Sequence, residues 1–184
     1  MPIPIPIPLI RAFLVSTFLG MALGGAGVAA ADTCTDFKWD VTKERALFAA
    51  PSTPLAAGPS LKSAPLIVPN RLYELHLSAQ NQVTFAAAPG KETAAEGAYA
   101  GIVQLKLPAA GSYRVAIDAP YWIDVVSDGA LLVAQDYQGQ RGCAAPHKIV
   151  EFFFAASGTF ALQLSGATAE FVLLSVTPVA ARKY

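Results

Sequence analysis

Two cysteines, two methionines, two tryptophans and two histidines are all that the 184 residues contain of those types. Each scarcity excludes something, and two imidazoles leave little room for histidine-based catalysis. Charged side chains are also few, at 14% against roughly 25% in ordinary globular domains. A chain so apolar is not a disordered one. The 13 basic and 13 acidic groups cancel to a formal net charge of zero. The clustered Lys/Arg surplus of a nucleic-acid binder is therefore missing, and no nucleic acid is expected as a partner. No G-x-S-x-G elbow, P-loop, dinucleotide fingerprint, H-E-x-x-H or EF-hand loop occurs either. No catalytic residue is assigned.

What is present begins with an apolar leader. Arg11 supplies a positive n-region, an apolar core runs over residues 12–23, Gly24 and Gly25 break it, and Ala29-Ala30-Ala31 fits the A-x-A cleavage rule. Residues 1–31 thus read as a signal peptide. The core is nearer a dozen residues than the ~20 a membrane helix needs, so no membrane span is expected after cleavage. Export to the periplasm or the medium gives the two cysteines an oxidising compartment. There Cys34 and Cys143 are expected to form a disulfide. Closing a loop of about a hundred residues removes about 4–5 kcal/mol of denatured-state entropy in the chain-entropy model.

Residues 32–70 read as an N-terminal arm. Asp40 or Thr42 can cap a short helix that turns Val41, Leu47 and Phe48 inward, with a strand from Phe37 as the competing reading. Pro51, Pro54, Pro59, Pro65 and Pro69 then predict an extended stretch without regular ladders.

From residue 71 the apolar period becomes two. Tyr73, Leu75 and Leu77 share one face while Glu74 and His76 share the other, and Tyr113, Val115 and Ile117 alternate with Arg114 in the same way. Strands are predicted at 72–77, 82–86, 102–107, 112–118, 122–126, 131–135, 149–154, 159–165 and 171–177. The turn signals between them include Asp128-Gly129 and Ser157-Gly158. Eight or nine such strands make residues 71–184 an all-β domain, an antiparallel β-sandwich or jelly roll. A short echo, Gly111-Ser112-Tyr113 and Gly158-Thr159-Phe160, is expected to mark equivalent strands of two facing sheets.

These motifs, with Trp122-Ile123-Asp124-Val125-Val126 between them, resemble the bacterial pre-peptidase C-terminal domains over about residues 100–177. That resemblance implies a secreted, non-enzymatic jelly-roll module and supplies no catalytic residues. The function expected from it is an exported binding or structural module whose partner is a protein or glycan of the periplasm or envelope.

Two candidate sites follow from residue chemistry. Tyr121, Trp122 and Tyr137 near Asp124 are aromatics beside a carboxylate, a combination that stacks on and hydrogen-bonds a ligand such as a sugar. The alternative is catalytic. Glu74 and His76 on one strand, with His147 and Glu151 at the start of another, would supply a 2-His-1-carboxylate set for non-haem iron or zinc. The chain would then be a small cupin-like oxygenase of the homogentisate-dioxygenase type. It requires both imidazoles within a few ångströms of one metal; otherwise no cofactor is expected.

Overall fold

The computed structural model describes residues 34, 36–92 and 96–180; the signal peptide expected at residues 1–31 lies outside them. The described chain is a β-sandwich of two mixed sheets with one short helix. The helix is α1 (Thr42–Phe48). The twelve described strands are β1 (Thr53–Ala56), β2 (Leu66–Ile67), β3 (Leu72–His76), β4 (Ser78–Ala79), β5 (Tyr99–Leu107), β6 (Gly111–Ile117), β7 (Trp122–Ser127), β8 (Ala130–Leu131), β9 (Ala134–Gly139), β10 (Lys148–Phe154), β11 (Gly158–Ala167) and β12 (Phe171–Pro178). Sheet A runs β1-β3-β12-β6-β10-β9. Sheet B runs β2-β5-β11-β7-β8, with β4 also on β5.

Alternation explains the core. Tyr73 and Leu75, Val115 and Ile117, Phe152 and Phe154 of sheet A meet Val103 and Leu105, Ile123 and Val125, Leu162 and Leu164 of sheet B, all buried. Each such side chain contributes roughly 1.5–3 kcal/mol on leaving water. The echo motif does place its two strands in opposite sheets, β6 in A and β11 in B. Its aromatics close one region of the core around Phe154, whose ring meets Tyr113 edge-on at 5.6 Å and Phe160 at 4.7 Å.

Three departures from the expected pattern have physical causes. The proline-rich arm does form ladders: β1 pairs with β3 and β2 with β5, both in parallel. Both are edge strands, and an edge is where proline's missing N–H is tolerated, as at Pro54 opposite Glu74. The strand expected at 82–86 is instead a 3₁₀ turn, Gln80–Gln82, followed by a single bridge from Thr84 to Ser60. The strand expected at 131–135 divides into β8 and β9, which lie in different sheets.

Both outer faces carry a partial cover. On sheet A, Phe37 and Val41 pack on Ala116 and Ile149, with Trp39 and Phe48 beside them. The N-cap position is Val41, without a side-chain cap, and Asp40 just before it closes an Asx turn, accepting from the Thr42 N–H at 2.9 Å and its hydroxyl at 2.6 Å. Those bonds hold its carboxyl below the usual carboxylate value. On sheet B, Ala64, Val83, Ala86 and Ala87 lie over Ile102, Val126 and Ala161. The buried Gln163 fastens this cover, its Oε1 accepting from Ala86 N–H at 3.1 Å while its Nε2 donates to the Ala87 carbonyl at 2.9 Å.

The cover begins at Gly58, which exchanges backbone hydrogen bonds with Ile102 at 2.8 and 3.0 Å. A Cβ at Gly58 would fall 2.6 Å from the backbone N and Cα of Ala64. Gly58→Ala is therefore expected to destabilise the fold by about 1–3 kcal/mol. Urea unfolding checks this, and an unchanged midpoint would show that the Ala64 backbone gives way freely.

Candidate binding cleft between the sheet edges

Sheet B ends in the two-residue β8, whereas sheet A continues into the six-residue β9. The unequal edges leave a cleft of about 340 Å³ between β7 on one side and β9 and β10 on the other. Its floor is the margin of the core, Ile123 and Val150. Trp122, Tyr137, His147 and Lys148 stand around it. A wider hollow of about 430 Å³ lies around Gln80, Phe85 and Glu96, but none of its lining residues belongs to the inter-sheet core.

Lys148 is the decisive side chain. Val150, Phe152 and Phe154 of β10 face inward, and one step back along that period Lys148 takes the same direction. Its ammonium donates to the Tyr121 carbonyl at 2.8 Å and lies 5.0 Å from the centre of the Trp122 ring. Burial is the main reason its pKa is pushed below the lysine value of 10.5; the Lys91 ammonium adds to this and Asp124 partly offsets it. Lys91 lies 5.8 Å from the same indole ring.

Trp122 is held in orientation from its own strand. Its Nε1–H donates to Asp124 Oδ1 at 2.9 Å, and Asp124 Oδ2 accepts from Gly90 N–H at 3.0 Å. His147 is held by its loop, with Nδ1 2.9 Å from the carbonyl oxygen of Cys143. A carbonyl only accepts, so Nδ1 carries the proton and Nε2 is the acceptor of the neutral ring. Cys143 is bonded to Cys34 as expected from the sequence, which ties this rim of the cleft to the start of the described chain. Nearby, Asp118 accepts from Leu173 N–H at 3.0 Å, and burial raises its carboxyl above the usual value despite that bond.

Of the four residues in the expected ligand platform, Trp122 and Tyr137 line the cleft, Tyr137 being 69% exposed. Tyr121 is instead a core residue that contributes its backbone carbonyl, and Asp124 is buried with both oxygens engaged.

The metal set is not brought together. His76 stacks on Phe171 at 4.7 Å and lies 3.7 Å from Glu170, at the far side of sheet A from His147. Strands β3 and β10 are separated by β12 and β6, which places them about 14 Å apart at the usual strand spacing. Two imidazoles that far apart cannot share a metal at bond lengths near 2 Å. Glu151 is taken by Arg114, at 3.1 Å, and Glu74 shares only the His76 strand. Among the described residues no three His, Cys, Asp or Glu side chains cluster in a way that holds a metal ion.

A second polar cluster, which alternation alone hides, lies under α1. Glu44 is buried and accepts from the Thr177 hydroxyl at 2.5 Å, while Arg114 stands between Glu44 and Glu151. The enclosure of this cluster beneath the helix makes it a fastening for the N-terminal segment. No protein-family model, curated protein or solved structure matches this chain.

Proposed function

We propose that the chain is an exported, non-catalytic binding module of the periplasm or medium, and that the cleft between β7 and β9–β10 is its ligand site. The observation that carries this reading is the cleft itself. It has an apolar floor cut into the core margin and a few polar groups, Lys148, His147 and the Tyr137 phenol, placed around it. A small ligand site has that composition. At about 340 Å³ the space is near the lower end of ligand pockets and suits a small molecule better than a glycan chain or a protein surface. Export is supported by the leader read at residues 1–31 and by the closed Cys34–Cys143 bond. No helix among the described residues is long and apolar enough to cross a membrane. The resemblance to pre-peptidase C-terminal domains, also non-enzymatic, points the same way.

Fluorescence titration with phenylnaphthylamine, a neutral apolar probe, tests the site. Saturable binding is expected, and Ala134→Trp, which fills the cleft from the exposed strand β9, is expected to weaken it by about ten-fold or more, a loss of ~1.4 kcal/mol. Undiminished binding to a folded Ala134→Trp variant would place the probe elsewhere and refute the assignment.

A further inference from the structure

The charges around the cleft are unequal, and the inequality specifies a ligand class. An ammonium has three donors. One N–H of Lys148 goes to the Tyr121 carbonyl, and its other two have no acceptor among the described residues. Lys91 brings a second cation to the same Trp122 ring. Asp124 is the nearby anion, but it is buried and both of its oxygens already accept, from the Trp122 indole and the Gly90 amide. No described residue lining the cleft is an aspartate or a glutamate. Lys148 therefore stands in the lining of an apolar slot, with Lys91 beside the same indole ring, while the Asp124 carboxylate is committed elsewhere.

Resting on the reading of the cleft as the ligand site, we infer that its ligand is a small carboxylate with a flat apolar body, the carboxylate paired with Lys148 and the body lying between Ile123, Val150 and the Trp122 ring. Two free N–H groups on one inward ammonium match a monoanion. A phosphate dianion is commonly met by an Arg fork, and no described residue lining this cleft is an arginine. Neutral sugars fit less well, since the carboxylate they would hydrogen-bond is already occupied.

Calorimetric titration of the whole protein with naphthoate, and with naphthamide as its neutral twin of the same shape, tests this. In the wild type naphthoate is expected to bind about ten-fold tighter or more, because its carboxylate forms an ion pair with the Lys148 ammonium where the amide carbonyl accepts only an ion–dipole hydrogen bond. Lys148→Met is expected to abolish that preference, weakening naphthoate more than naphthamide, because only the carboxylate loses an ion pair. A wild type that binds the two compounds equally overturns the inference, as does a preference that persists in folded Lys148→Met. If neither compound binds, the site assignment itself fails; if naphthamide binds as well as naphthoate, the site stands and only the carboxylate falls.

A wild-type pH series gives a reading that needs no variant. Naphthoate affinity is expected to fall as pH rises through the Lys148 pKa, which lies below 10.5, because only the protonated amine pairs with a carboxylate. Naphthamide affinity is expected to stay level. Lys91, Asp124, His147 and the Tyr137 phenol also face this region, so a fall of equal size in Lys148→Met would assign the titration to one of them and refute the role of Lys148.

Discussion

Arg114→Met is expected to destabilise the fold by about 3–5 kcal/mol, the range seen when one member of a buried ion pair is removed. Arg114 lies on β6 beneath α1, with its side chain only 13% exposed. Its Nε is 3.1 Å from Glu151 Oε2, and its Nη1 is 3.9 Å from Glu44 Oε1 and donates to the Asp40 carbonyl at 3.0 Å. Its guanidinium covers the Trp39 ring at 4.8 Å. Methionine preserves much of the stem's packing and removes the charge. Two carboxylates, 3% and 16% exposed, would then face one another with no counterion. Adding Glu44→Gln should restore part of the loss, because one uncompensated charge disappears while the Thr177 hydroxyl keeps an acceptor. Urea unfolding of the two single variants and the double variant measures the coupling. A loss below about 1 kcal/mol for Arg114→Met, the worth of an exposed pair, would show that water reaches the cluster.

Replacing both cysteines, Cys34→Ser with Cys143→Ser, is expected to lower stability by about 4–5 kcal/mol. The bond spans 109 positions, and the loss of denatured-state entropy on closing such a loop has this size. For a domain of this length the melting temperature should fall by about 10–20 °C. The effect should extend to the cleft, since the Cys143 carbonyl orients His147 and the loop ends at Lys148. Weaker binding of phenylnaphthylamine by the still-folded variant is the expected companion result. A melting temperature within about 3 °C of the wild type would show that Phe37, Val41 and α1 alone hold the N-terminal segment.

Seven of the nine expected strands correspond to β3, β5, β6, β7, β10, β11 and β12. They run five to ten residues each, where a period of two has room to repeat. The strands β2, β4 and β8 have two residues each and carry no period at all. The polar residues that matter most for the covers were hidden for a different reason. Gln163, Asp124 and Glu44 stand at positions that local patterning reads as solvated, and they are buried because segments distant in sequence lie over them. Tertiary cover of that kind leaves no local trace.

Within the cleft, Trp122 was legible as an aromatic at a strand end, whereas Tyr137, expected just beyond a strand, lies inside β9. Tyr121 was misleading, since its neighbour in sequence points the other way across the pleat. Lys148 had a signal that was available: extending the inward series Phe154, Phe152, Val150 by one step places a lysine on the core side. A charge at an inward position near a strand end is worth asking about, because burial of a lone ammonium is unfavourable unless something answers it.

The two tryptophans allow the most direct test of the cleft as a binding site. Trp122 lines it, whereas Trp39 lies on the outer face of sheet A against Arg114. With two indoles in the chain, a proton–nitrogen NMR spectrum reports each N–H separately during titration with phenylnaphthylamine. The expected result is a saturable shift of the Trp122 indole signal while that of Trp39 stays in place. A Trp122 signal that does not move, or the two signals drifting together without saturation, would contradict the assignment of the cleft.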